Sequence, residues 1–418
     1  DINPGTSDSS PQHLTDVNGT LFFSANELKY GRELWKSDGT PAGTTLFKDI
    51  FSGSSASSPS NLIDVSGTLF FTANDGINGD GLWKSDGTTS GTTLVKDIWS
   101  PLYLIDINGT LFFNASSGTN GAELWKSDGT TLGTTMIKDI KPGTGHSSPS
   151  NLTNVNGTLF FTASDHNNGN ELWKSDGTPT GTTMIKDIKS GNGSSSPSNL
   201  MVVSGTLFFT ANNPTNGTEL WKSDGTSAGT TMIKDIYAGS SSSNPQNLTH
   251  ANDTLFFTAN NATNGIELWK SDGTNSGTTM VKDITSGSSS SSPYNLTNVN
   301  GTLFFRANDG TNGNELWKSD GTTAGTVLVN DIHSGNSSSY PSNLTDVNGT
   351  LFFRANDGTN GNELWKSDGT TAGTVLVNDI HSGSSSSSPS NLIDVKGTLF
   401  FTAFDGISGS ELFKVVPN

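Results

Sequence analysis

Short apolar runs alternate with polar, glycine-containing stretches along the whole chain. In residues 343–390 the alternating segment "NLTDV" is followed by "NG", the apolar run "TLFFRA", a polar loop, "ELWKS", a second turn and "TVLVNDI". Asn-Gly between two such runs is a strong hairpin signal, and β-branched and aromatic residues favour strands. No segment has helical spacing over about ten residues. The pattern predicts four antiparallel strands, followed by a flexible Ser-rich connector.

The same unit recurs along the chain, marked by the octet "ELWKSDGT" or a close variant. Its aromatic residue falls at nine positions: Trp35, Trp83, Trp125, Trp173, Trp221, Trp269, Trp317, Trp365 and Phe413. Neighbouring positions are 48 residues apart, except for 42 between Trp83 and Trp125, where the connector is shortened to "SPLYL". Four antiparallel strands repeated many times are the sequence signature of a β-propeller.

We therefore predict an all-β fold: a single β-propeller domain over residues 1–418, with nine four-stranded blades of about 48 residues. The run "LFF" occurs nine times, but the outer strand ending in "KDI" or "NDI" is complete eight times. Asp1 and Ile2 match the missing end, so we expect the N-terminal segment to close the last blade. The alternative is eight blades plus a partial unit, because propellers usually have four to eight blades.

The octet itself has two interpretations. In a propeller, each blade packs between two others, so the Trp is expected to wedge between adjacent blades while Asp-Gly-Thr forms the turn to the outer strand. The alternative is a ligand site used nine times. We favour the structural interpretation, because the octet recurs in phase with the strands.

Composition and charge exclude several classes of protein. The 22 Phe and 9 Trp residues recur at regular intervals, which argues against disorder. A net charge of −17 argues against nucleic-acid binding. The lack of a long apolar run argues against membrane insertion, and the lack of cysteine excludes disulfides and thiolate metal sites. The sequence begins at Asp1 with no signal-peptide pattern, so we expect a leader or a larger N-terminal part to have been removed or left out.

The octet together with "GTTMIKDI" resembles the ELWxxDGT repeat of large bacterial surface and secreted proteins. Nine in-phase copies carry the resemblance over essentially the whole chain. The chain departs from it at Gly81, which replaces the Glu, and in the last unit, where Phe413 replaces Trp and Asp-Gly-Thr is missing. The resemblance implies an extracellular or cell-surface propeller, secreted by a bacterium, and implies little about ligands.

Candidate chemistry is sparse. The six His residues are scattered without metal-ligand spacing, and no nucleophile–base pair is evident, so we predict no catalytic residues and no enzyme activity. No cofactor is required by the pattern. Carboxylates recur at one position of the first strand and suggest a Ca²⁺ site, although the alternative is that each stabilises the following turn. These residues are Asp16, Asp64, Asp106, Asp346 and Asp394.

The loop between the second and third strands varies most, and loops on a rigid scaffold often carry binding residues. We predict that any ligand, metal or partner engages the face with these loops and the Ser-rich connectors. Its marker residues are Asp75, Asp165, Asp309, Asp357 and Asp405. An ordinary hydrated turn is the alternative.

A non-catalytic extracellular binding or adhesion module is the function that the sequence favours. Repeated weak sites give avidity towards a repetitive target, so the expected partner is a surface or extracellular glycan or protein. The first alternative is a structural subunit of a surface layer, sheath or filament, which would self-associate. A glycan-active enzyme is a further alternative, but it needs a non-repeated acidic pair that the sequence does not show.

Overall fold

The computed structural model describes residues 1–416, which contain 35 strands and no helix. The strands form nine antiparallel sheets, of which eight have four strands and one has three. Within each sheet, the strands follow one another in chain order. The sheets are the blades of a nine-bladed β-propeller, which confirms the predicted fold class and excludes the eight-blade alternative.

By its internal contacts the chain divides into two compact units, and the first comprises residues 1–198, 225–227 and 410–412. Its four complete sheets are sheet 1, with β1 (Gln12–Val17), β2 (Thr20–Glu27), β3 (Gly31–Ser37) and β4 (Thr45–Lys48); sheet 2, with β5 (Ser60–Val65), β6 (Thr68–Asn74), β7 (Asp80–Ser85) and β8 (Thr93–Asp97); sheet 3, with β9 (Trp99–Ile107), β10 (Thr110–Ser116), β11 (Ala122–Ser127) and β12 (Thr135–Lys138); and sheet 4, with β13 (Ser150–Val155), β14 (Thr158–Asp165), β15 (Gly169–Ser175) and β16 (Thr183–Lys186).

The second unit comprises residues 199–224, 228–409 and the chain from 413 on. Its sheets are sheet 5, with β17 (Ser198–Val203), β18 (Thr206–Asn213), β19 (Gly217–Ser223) and β20 (Thr231–Lys234); sheet 6, with β21 (Gln246–Ala251), β22 (Thr254–Asn260), β23 (Ile266–Ser271) and β24 (Thr279–Lys282); sheet 7, with β25 (Tyr294–Val299), β26 (Thr302–Asn308), β27 (Asn314–Ser319) and β28 (Val327–Asn330); sheet 8, with β29 (Ser342–Val347), β30 (Thr350–Asn356), β31 (Asn362–Ser367) and β32 (Val375–Asn378); and sheet 9, with β33 (Ser390–Val395), β34 (Thr398–Phe404) and β35 (Ser410–Val415). One domain over residues 1–418 stays a prediction.

The hairpin between the first and second strands forms where the sequence predicts it. In sheet 8, Asn348 has φ of 51° and Gly349 has φ of 81°, so both turn residues are left-handed. Such two-residue turns match the twist of the flanking strands and favour Asn-Gly.

Neighbouring sheets share their cores. Trp269 of sheet 6 is buried in one cluster with Phe208, Leu220 and Ile233 of sheet 5. On the other face of sheet 6, Phe256 lies in the cluster that holds Trp317 of sheet 7. Because each middle strand is covered on both faces, bulky residues occupy consecutive positions. The predicted wedging of the Trp between adjacent sheets is confirmed within each unit.

The other octet residues also hold the fold. Lys126 Nζ donates to the backbone oxygen of Gly177 in the next sheet, at 2.9 Å. Ser127 Oγ lies 2.7 Å from Thr134 Oγ1 across the turn to the outer strand. The turn aspartate, Asp128, accepts the backbone N–H of the Thr that follows two residues later, at 2.8 Å. The structural interpretation of the octet is therefore confirmed for these residues.

The ninth sheet departs from the prediction of nine four-stranded blades. It has three strands within residues 1–416, in the order β33, β34 and β35. The N-terminal segment bonds to residues 410 and 411, which begin β35, as expected. Ile2 N donates to Glu411 Oε2 at 2.8 Å, and Ser10 N donates to the backbone oxygen of Ser410 at 2.9 Å.

We expect Trp269→Ala to lower the free energy of unfolding by about 3–5 kcal/mol, because it leaves a large cavity between two sheets. The control is Trp99→Ala, which removes an exposed Trp outside the octet and should change stability by less than about 0.5 kcal/mol. Urea unfolding followed by circular dichroism measures both. Equal losses in the two variants would contradict the wedge.

Candidate binding groove at the third sheet

A buried glutamate ties the third strand of most sheets to the connector that leads to the next sheet. Glu33 has no exposed surface. Its Oε2 accepts the backbone N–H of Ile50 at 2.8 Å and the hydroxyl of Ser57 at 2.5 Å, while Oε1 accepts the Ser57 N–H at 2.7 Å. We call this arrangement the glutamate clip. The same Ile and Ser positions bond to Glu123, Glu171, Glu219, Glu267, Glu315 and Glu363, and Ile2 and Ser9 bond to Glu411.

The clip perturbs the titration of its carboxyl group. Burial raises the pKa of Glu315 to about 7, while the hydrogen bonds from Ser339 and Ile332 act to lower it. Burial also raises the pKa of the equivalent carboxyl groups in five other sheets, at Glu33, Glu123, Glu171, Glu219 and Glu267. The Ile N–H, the Ser N–H and the Ser hydroxyl thus offset the cost of burying an acidic group where water is excluded.

Sheet 2 lacks the clip and also lacks the long connector. Gly81 stands where the other sheets have Glu, and it pairs directly with Asp97 in the outer strand. A Cβ at Gly81 would lie 2.6 Å from Leu94 Cδ1, so a larger residue needs Leu94 to move. The connector is so short that β9 begins two residues after Asp97, at Trp99. Because no long connector lies beside it, a carboxylate at position 81 would lack the N–H and hydroxyl donors of the clip.

This break in the repeat exposes apolar side chains. Three large apolar residues of β9 are exposed, namely Trp99 (61%), Leu102 (41%) and Tyr103 (53%). Trp99 is the single Trp outside the octet, and this position is the signal in the sequence that marks it as different. Beside them lies a cavity of about 290 Å³, which we call the sheet-3 groove. It is lined by Ser58, Ser60, Asn61, Thr72, Ala73, Asp80, Ser100, Pro101 and Leu102.

Hydrogen bonds fix the walls of the groove. Asn61, at a φ of 52°, donates through Nδ2 to Thr72 Oγ1 at 3.1 Å and to the backbone oxygen of Pro101 at 3.5 Å. The Trp99 ring lies against the loop of sheet 3, where a Cβ on Gly118 would come within 3.4 Å of it. The groove is lined by the starts of the first strands β5 and β9, the end of the second strand β6 and the start of the third strand β7. It therefore lies on the face with the loops and connectors.

The five loop aspartates that were predicted as binding-face markers serve their own loops. Asp75 Oδ1 accepts the backbone N–H groups of Ile77 at 2.9 Å and Asn78 at 2.8 Å. Desolvation acts to raise the pKa of Asp75, but these hydrogen bonds outweigh it and lower the pKa. The same pattern holds Asp165, Asp309, Asp357 and Asp405. These carboxylates are turn caps, and the structure does not bring them together.

The candidate Ca²⁺ ligands also cap turns. Asp16 Oδ1 accepts the backbone N–H of Gly19 at 2.6 Å, and the other four do the same: Asp64, Asp106, Asp346 and Asp394. Within residues 1–416, no group of three or more His, Asp or Glu side chains is placed to hold a metal ion. Calcium binding stays a prediction without a site among these residues.

Comparison with known proteins finds similarity to solved structures and none by sequence. No family model and no curated protein matches the sequence. Among solved structures, a puromycin hydrolase is 12% identical with a TM-score of 0.42, and a prolyl endopeptidase is 11% identical with a TM-score of 0.43. A puromycin-hydrolyzing peptidase of Mycobacterium tuberculosis is 12% identical with a TM-score of 0.40. Each match covers 82% of this chain but only 54% to 58% of the other chain.

These similar structures correct the prediction of function. They are named as peptidases and hydrolases, whereas the sequence favoured a non-catalytic adhesion module for surface glycans. That prediction is withdrawn. At this level of identity the likeness does not show that this chain is catalytic. The resemblance to the ELWxxDGT repeat stays a prediction, as does an extracellular location.

The described residues contain no helix that is long and apolar enough to cross a membrane.

We expect the protein to be more stable at about pH 5 than at about pH 8. Because folding raises the glutamate pKa values, the unfolded chain loses these protons first as the pH rises above the ordinary value of 4.5. Stability then falls until the pH passes the folded-state value. For Glu315 alone, the difference between 4.5 and about 7 corresponds to about 3 kcal/mol.

Urea unfolding midpoints over this pH range test the expectation, with Glu315→Gln as the variant whose pH dependence is reduced. The turn aspartates act in the opposite sense, but only below about pH 4. For example, hydrogen bonds from Thr130 lower the pKa of Asp128. Midpoints that stay level or rise between about pH 5 and about pH 8 would contradict the buried clip.

Proposed function

We propose that the chain binds an extended peptide segment of a partner protein in the sheet-3 groove. The observation that carries the proposal is the exposure of Trp99, Leu102 and Tyr103 beside a cavity with a mixed polar and apolar lining, at the shortened connector. Exposed aromatic and apolar side chains next to a cavity are typical of binding sites, and aromatic anchors contribute most of the affinity in many interfaces.

The backbone of β9 supports an extended ligand. This strand is the first of its sheet, so one of its edges has no partner strand within sheet 3. It has nine residues, whereas the first strands of the other sheets have six. Its extra residues, 99–101, lie beside the exposed apolar side chains. A peptide can add to such an edge through main-chain hydrogen bonds while alternate side chains enter pockets.

The charge of the groove favours a basic peptide. Asp80 is the one titratable side chain among the nine residues that line it. The net charge of the chain is −17, which attracts cationic partners over longer distances. We therefore expect the preferred segment to combine a large apolar residue with a nearby Lys or Arg.

Binding is the activity that these side chains support. Ser58, Ser60 and Ser100 line the groove, but no His lines it to activate their hydroxyl groups as nucleophiles. The amide of Asn61 and the hydroxyls of Ser60 and Thr72 bond to one another and offer donors and acceptors for a peptide backbone.

The test uses a library of synthetic nonapeptides in which the apolar and basic residues are varied. Peptides that bind are identified on an array, and their affinities are measured by titration calorimetry. We expect Trp99→Ala with Tyr103→Asn to weaken the tightest peptide by about thirtyfold or more, because two aromatic anchors are lost. Asn is the residue that seven other sheets have at this position, so the variant should fold.

The matched control is Leu132→Ala, which removes an exposed apolar side chain in the turn between the third and fourth strands of sheet 3. It should leave peptide affinity unchanged. Two results would overturn the proposal: unchanged affinity in the Trp99 and Tyr103 variant, or no preference for basic over acidic peptides in the native protein.

A further inference from the structure

Arg306 in sheet 7 is an arginine whose Nε has no acceptor within residues 1–416. Its Nε is buried without a hydrogen-bond partner, and no carboxylate pairs with it. Its Cζ instead lies 5.1 Å from the centre of the Tyr294 ring and 5.9 Å from that of Tyr340. The chain has 39 acidic residues against 22 basic ones, so an arginine without a carboxylate is unexpected. Because the group is partly buried, desolvation lowers the pKa of Arg306.

The two tyrosines are held in place beside the guanidinium. Tyr294 lies directly opposite Arg306 in the pairing of β25 with β26. Tyr340 has a φ of 50°, and its N–H donates to the backbone oxygen of Asn314 at 3.2 Å. The residue before it, Ser339, is held by the glutamate clip of sheet 7. Both rings are about half exposed, so the cluster is ordered by the fold and open to solvent.

The repeat shows that Arg306 is not needed for folding. Five other sheets have Thr at this position, namely Thr72, Thr162, Thr210, Thr258 and Thr402. In sheet 6, the side-chain amide of Asn247 donates to Thr258 Oγ1 at 3.3 Å and to the Pro293 backbone oxygen at 3.5 Å. In sheet 7 the equivalent Asn295 keeps the bond to the proline, at 3.2 Å to the Pro341 oxygen. An arginine therefore replaces a residue with a local structural role.

Sheet 8 provides an internal comparison. Arg354 occupies the same position as Arg306, but serines stand where sheet 7 has its two tyrosines, at Ser342 and Ser388. Arg354 Nε donates to Ser342 Oγ at 3.1 Å, so this arginine has a partner within its own sheet. The guanidinium with an unpartnered Nε beside two aromatic rings is thus confined to sheet 7.

We propose that Arg306, Tyr294 and Tyr340 form a binding site for an organic carboxylate with a flat apolar body. A guanidinium presents its N–H groups in a planar fork that matches a carboxylate, and this charge-assisted pair is among the stronger hydrogen bonds. The half-exposed tyrosine rings offer apolar surface for the rest of the ligand. The site lies in sheet 7, and the proposal does not depend on peptide binding at the sheet-3 groove.

Benzoate is the probe, and the Nε–Hε resonances of the arginines are the readout in a two-dimensional NMR titration. The chain has three arginines, Arg32, Arg306 and Arg354, so each signal can be assigned by substitution. We expect benzoate to shift the Arg306 signal while the other two stay in place. Benzamide, which has the same shape without the charge, should shift none of them. Inorganic phosphate has no apolar body and should bind more weakly than benzoate.

Two variants separate the roles of the charge and the rings. Arg306→Thr restores the residue of the other sheets and should weaken benzoate binding by about tenfold or more in calorimetry. Tyr294→Ser with Tyr340→Ser reproduces the surroundings of Arg354 and should weaken it by about fivefold. The proposal would be overturned by an Arg306 signal that benzoate leaves in place, by unchanged affinity in Arg306→Thr, or by phosphate binding as tightly as benzoate.

Discussion

The fold depends on a buried carboxylate that binds two points of a polar connector. The connectors consist mainly of Ser and Gly and have few apolar side chains to bury, so the hydrophobic effect cannot hold them. The glutamate clip does so with three short hydrogen bonds, one from an Ile N–H and two from a Ser seven residues later. Glutamate suits this position because its two oxygens can accept from both ends of one connector at once.

The same interaction explains where the chain departs from its repeat. Sheet 2 has a short connector, and it has Gly81 in place of Glu. The two features belong together, because a short connector leaves no backbone for the Glu to hold. The N-terminal segment supplies Ile2 and Ser9 to Glu411, as a connector would, even though it adds no strand to sheet 9. Both proposed binding sites lie where one unit differs from the others, since the shared residues are engaged in holding the fold.

Much of the fold could be predicted from the sequence, because strand pattern, turn residues and period all agree. The Trp wedge and the Asn-Gly hairpins follow from local chemistry. For the loop and first-strand aspartates, the sequence offers a role in the turn as the alternative to ligand binding. The clip could not be predicted, because the octet does not show which distant backbone groups face its Glu. The exposure of Trp99 and the lack of an acceptor for Arg306 Nε depend on neighbours from other strands, which a single unit does not reveal.

Native-state hydrogen exchange at the connector serines tests the clip most directly. Ser243 lies in a Ser-rich connector outside any strand, yet its N–H donates to Glu219 Oε1 at 2.8 Å. If the clip holds the connector, this amide is protected as strongly as the strand amides of β22, and Glu219→Ala removes the protection. Exchange of the Ser243 amide at the rate of a solvent-exposed serine in the native protein would contradict the account.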